Sequence, residues 1–141
     1  MKILIAVDGS RYTKRMLAYL AAHDESFGLK QHQFTVITVV GAIPARAAGA
    51  LSKKIVHGHY AEEAEETFKP IRAFFSKQGI EAEYEHQVGN PGEQIAAVAR
   101  KGKFDLVMMG SHGHSALARL VVGSVTGRVL ASCDVPLLIV R

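Results

Sequence analysis

The run Leu106-Val107-Met108-Met109-Gly110-Ser111-His112-Gly113, with Gly123-Ser124-Val125-Thr126 following after nine further residues, decides how this chain folds. Four apolar residues without polar alternation read as a strand buried on both faces. Glycines at the strand exit let backbone N–H groups come close to whatever lies beyond it. Gly123-Ser124 opens a segment, Val125–Ser132, that reads as a helix. A helix start leaves unpaired N–H groups and roughly half a positive charge facing outward. A strand exit and a helix start joined by such a loop describe a place to hold phosphate groups.

Working outward, the same strand type recurs. Lys2–Val7 is a short Ile- and Val-rich run that leads into the turn Asp8-Gly9-Ser10, with Ser10 placed to cap a helix carrying Met16, Leu17 and Leu20 on one face. Phe34–Val40 and Glu81–Val88 read as the second and third strands, Asp105–Met109 as the fourth, and Val135–Val140 as the fifth, with Pro136 placing it at an edge. Tyr60–Gln78 has helical spacing in Ala61, Ala64, Phe68, Ile71 and Phe75, with acid gathered in its first half and Pro70 expected to kink it. Asn90-Pro91-Gly92-Glu93 reads as a capping box with proline at the first helical position. Five strands alternating with helices imply right-handed crossovers and an open parallel sheet covered on both faces, an α/β fold in one domain over residues 1–141. Gly41–Gly58 is the one long irregular stretch. It leaves the second strand and is expected to act as a lid.

Composition excludes several classes. The 141 residues carry a formal charge of +4 with basic residues scattered, which argues against a nucleic-acid face and suits a small anionic ligand. No apolar run approaches the roughly 20 residues that span a bilayer, and the N-terminal run meets Asp8 too early for a signal peptide. The single cysteine, Cys133, fits a reducing compartment, so a cytoplasmic location is expected.

In parallel sheets of this kind ligands sit at the carboxyl ends of the strands, where the strand order reverses. With the first and fourth strands adjacent, Asp8, Val39 and Gly110 converge on one crevice. Hydroxyls of Ser111, Ser124 and Thr126 add to the backbone donors, and Mg²⁺ would offset phosphate charge. His57-Gly58-His59 and His112-Gly113-His114 lack the converging third and fourth ligands of a metal site, so no metal residues are assigned. His112 remains a candidate phosphate contact. Ser111-His112 is not read as a nucleophile and base, because neighbours on a loop seldom face each other and the G-x-S-x-G turn is absent. A Walker A loop is also missing, and no catalytic residue is assigned.

The spacing Gly110-x-x-Gly113, nine residues, Gly123-Ser124 resembles the nucleotide-binding signature of the universal stress protein family. The opening strand ending in Asp8-Gly9-Ser10 and the closing Val135-Pro136-Leu137-Leu138-Ile139-Val140 are similar to that family as well. The resemblance runs along the whole chain. It implies a Rossmann-like sheet of strand order 3-2-1-4-5. It also implies that Asp8 and Val39 hold the adenosine end of ATP while Gly110, Gly113, Gly123, Ser124, Val125 and Thr126 hold ribose and phosphates. It further implies a homodimer paired through the last strands, Val135 to Val140, acting in the stress response by binding nucleotide. His114 stands where a lysine or arginine would give permanent charge, with Arg119 as a candidate replacement. Gly127 weakens the first turn of the last helix, for close packing or for ligand access. Two other readings fit the same residues: a dimeric interaction module of this fold that binds no nucleotide, and a slow adenylate-processing enzyme.

Overall fold

The computed structural model describes residues 1–113 and 122–141. Its elements run β1 (Lys2–Ala6), α1 (Arg11–Ala22), α2 (Asp24–Phe27), β2 (Gln33–Val40), α3 (Ala45–Ala48), α4 (Lys53–Lys77), β3 (Ala82–Val88), α5 (Pro91–Lys101), β4 (Leu106–Gly110), α6 (Ser124–Ser132) and β5 (Leu137–Val140). The strands form one sheet of order β3-β2-β1-β4-β5, every pair parallel. β1 therefore has β2 on one side and β4 on the other, and the strand order reverses between β1 and β4.

Side chains alternate across the strands, so one sheet makes two cores. Ile3, Ile5, Val36 and Met108 point to one face, where Met16, Leu17 and Leu20 of α1 and Phe68, Ile71 and Phe75 of α4 cover them. Leu4, Ala6, Ile37, Val107 and Met109 point to the other, against Ile95 and Ala99 of α5 and Val129 of α6. Burial on both sides explains why β1 and β4 carry no polar alternation. Among the described residues no helix is long and apolar enough to cross a membrane.

Two local readings change. The helix expected from Tyr60 begins at Lys53, where the Ser52 side chain accepts from the N–H of Ile55. The acidic run Glu62–Glu66 therefore lies inside α4 instead of at its start, and α4 continues past Pro70 to Lys77. The irregular segment shrinks to residues 41–52, itself interrupted by α3, and Tyr60 Oη accepts from the Ile43 N–H at 2.9 Å. In α5, Asn90 Oδ1 accepts from the Glu93 N–H as expected, but the Glu93 carboxylate pairs with Arg128 of α6 at 3.0 Å and does not complete the box.

Candidate functional site

Asp8 leaves the carboxyl end of β1 and turns through Gly9, whose φ of +74° is the left-handed backbone that favours glycine. Its Oδ1 accepts from the Ser10 N–H at 3.0 Å and from Thr13 Oγ1 at 2.9 Å, and its own N–H donates to Thr13 Oγ1 at 3.1 Å. Ser10 Oγ in turn accepts from the Tyr12 N–H at 3.2 Å. Asp8, Ser10 and Thr13 thus tie together the turn that opens α1, and Ser10 caps the helix by taking the Tyr12 N–H. The other carboxylate oxygen, Oδ2, faces Gly113. A Cβ built there would sit 2.6 Å from it, so glycine at 113 lets the loop close over Asp8.

The two glycine clusters meet. The Gly123 N–H donates to the Ser111 carbonyl at 2.7 Å, and a Cβ on Gly123 would lie 3.0 Å from the Cα of His112. Thr126 Oγ1 donates to the Gly110 carbonyl at 3.0 Å and reaches the Ser111 carbonyl at 3.5 Å. Thr126 and Ser111 are each 1% exposed. The Thr126 hydroxyl thus fastens the start of α6 to the exit of β4, and what Thr126 turns toward the end of the helix is its backbone N–H. Gly123 caps α6 with no side-chain hydrogen bond and no acidic residue in the first turn. Among the described residues the N–H groups of Ser124, Val125 and Thr126 have no acceptor. An anion placed there gains about 0.3–1 kcal/mol when exposed and up to ~2 kcal/mol when partly buried.

Gly110 has a packing reason. A Cβ on it would stand 2.6 Å from the Cβ of Tyr12, so the first turn of α1 rests directly on the end of β4. The Tyr12 ring then stacks at an angle on His112, centroids 5.2 Å apart. Tyr12 and Thr13 were not singled out from sequence: the contacts of Tyr12 with Gly110 and His112 join elements about 100 residues apart in the chain, and Thr13 bonds only Asp8 across the turn. The one signal was the apolar-face position of Tyr12 beside the Ser10 cap.

Other expectations fare differently. Ser111 and His112 do face each other, Oγ to Nδ1 at 3.0 Å, contrary to the reading that loop neighbours would not. Ser111 itself is buried. Val39 lies at the same edge of the sheet, partly buried against the core under α5 and α6. Among the described residues a Cβ on Gly127 would meet nothing within 4 Å, so none of them gives close packing as the reason for that glycine. His114 and Arg119 lie outside the described residues. Among the described residues no three His, Cys, Asp or Glu side chains gather as a metal site.

The sequence of the chain matches the universal stress protein family over residues 1–141. Universal stress protein MJ0531 of Methanocaldococcus jannaschii is 28% identical over 140 residues, which cover 99% of this chain and 81% of that one. Among solved structures, protein MJ0577 of the same organism superposes with a TM-score of 0.80 at 26% identity, covering 99% of this chain and 94% of its own. A universal stress protein from Archaeoglobus fulgidus in complex with dAMP gives a TM-score of 0.65 at 22% identity, covering 100% and 98%. One from Arabidopsis thaliana with AMP bound gives 0.70 at 13%, covering 99% and 90%. A match along the full length, on a sheet whose order reverses beside two glycine clusters that touch, leaves one conclusion: the chain belongs to the universal stress protein family.

Proposed function

We propose that this protein is a nucleotide-binding regulator of the stress response that holds ATP in the crevice between β1 and β4. The observation that carries this reading is the start of α6. A glycine caps it, its first three N–H groups have no acceptor among the described residues, and it abuts the loop leaving β4 at the point where the strand order reverses. In this reading Gly110, His112, Gly113, Gly123, Ser124, Val125 and Thr126 line the ribose and phosphates, Thr126 through its N–H. Asp8 and Val39 form the adenosine end. The fold neighbours with AMP and dAMP support an adenine nucleotide as the ligand.

The oxygen donors present fit a Mg²⁺ that arrives with the phosphates. Mg²⁺ is commonly held by one or two protein oxygens plus phosphate and water. The exposed Ser124, first residue of α6, brings a hydroxyl to this edge with no carboxylate cluster beside it among the described residues. When bound, the ion would neutralise phosphate charge. The protein acts as a cytoplasmic homodimer paired along β5, which carries the apolar run Leu137-Leu138-Ile139-Val140 and, among the described residues, has no further strand at its outer edge. Thermal melts with and without Mg·ATP test the reading. Ligand at 100 times its Kd stabilises by about 2.7 kcal/mol, a shift of several degrees. No shift at millimolar ATP, while a known ATP-binding protein responds, would overturn it.

A further inference from the structure

Helix α1 begins with an arrangement that its own folding does not favour. Arg11, Lys14 and Arg15 are exposed cations in its first five residues, and the first turn has no acid. The helix dipole disfavours positive charge at that end, and Arg11 and Arg15 are a like-charged i,i+4 pair. None of the three takes part in an ion pair among the described residues. Both guanidinium groups instead gather on one aromatic ring. Arg11 lies 5.0 Å and Arg15 5.7 Å from the centroid of Tyr12, and Arg11 Nη2 donates to Tyr12 Oη at 3.0 Å. That ring is buried, and its other neighbour is His112 of the glycine loop, at 5.2 Å. Tyr12 therefore joins two unpaired arginines to the loop that lines the crevice. A like-charged cluster held in place beside a site, at a cost to the helix, is the kind of local conflict that an anionic ligand relieves.

We propose that Arg11 and Arg15 receive the outer phosphates of the bound nucleotide and make the site selective for nucleoside polyphosphates over monophosphates. This inference rests on the nucleotide reading above. The loop binds the phosphate common to all adenine nucleotides, and the α1 cations act on the charge that ATP has and AMP lacks.

Isothermal titration of the full chain with ATP and with AMP at fixed salt tests it. The natural protein is expected to bind ATP at least tenfold more tightly than AMP. In R11A/R15A the ATP affinity falls tenfold or more while the AMP affinity changes less than threefold. R11K/R15K, which keeps the charge, retains most of the preference. The melting temperature of ligand-free R11A/R15A is expected to stay level or rise by a degree or two. If folding does suffer, the ratio of the two affinities still reports selectivity. An unchanged ratio in R11A/R15A, in a protein that binds both nucleotides, overturns this inference and leaves the nucleotide reading standing. Failure of the natural protein to bind either nucleotide overturns both.

Discussion

Helices α1 and α6 both start at the carboxyl edge of the sheet, on opposite faces of it, and their first turns are finished in opposite ways. In α1, Ser10 caps the turn, Asp8 accepts from Ser10 and Thr13, and Thr13 answers the Asp8 N–H. In α6, glycine stands at the cap and contributes no side chain. The other two long helices follow α1: Ser52 caps α4 and Asn90 caps α5. A side-chain cap contributes typically about 1 kcal/mol, so a start without one leaves stability unused. The difference separates a helix start capped by its own side chain from one with no side-chain cap. It also explains why Asp8, next to the crevice, has both a structural duty and a place facing Gly113.

The largest expected effect comes from removing the contact that sets the two starts side by side. Gly110→Ala places a Cβ 2.6 Å from that of Tyr12 and 3.2 Å from its carbonyl carbon. Overpacking of this kind costs about 1–3 kcal/mol, and urea unfolding should show it. An unchanged midpoint would mean that α1 shifts freely and that its position beside α6 is not fixed by packing. Ser10→Ala is expected to cost about 1 kcal/mol by loss of the cap and to leave the Kd for Mg·ATP within twofold. A matching loss of affinity would show that the Ser10 cap itself also serves the ligand. Ser124→Glu is the smallest change in stability and the sharpest test of the contrast. A carboxylate in the first turn of α6 should raise stability by about 0.3–1 kcal/mol and at the same time abolish the thermal shift with Mg·ATP. Stability and binding moving in the same direction would contradict the open-start interpretation.

The periodic elements were legible in the sequence because burial writes them there. β1 and β4 are apolar on both faces, and α1 and α5 carry clear apolar stripes. The first two turns of α4 were not legible. Lys53–His59 is almost wholly exposed, and burial in that helix begins at Ala64, so no stripe marks its start. The glycine pair and the helix it opens were readable as a phosphate-shaped backbone. The reasons for the individual glycines were not, since Gly110 answers to Tyr12 and Gly113 to Asp8, contacts made only once the sheet has formed. The same holds for Glu93, whose partner Arg128 lies on another helix, and for Thr126, whose hydroxyl is spent on Gly110.

That last bond, with the one from Gly123 to Ser111, ties the two ends of the connection between β4 and α6 directly to each other. A connection whose ends are fixed by their own contacts transmits little of its length to them. Loop-closure entropy grows only slowly, by about 0.6 kcal/mol for each doubling of length. These bonds hold Gly110 and Ser111 against Gly123 and Thr126 whatever the length of chain that joins them.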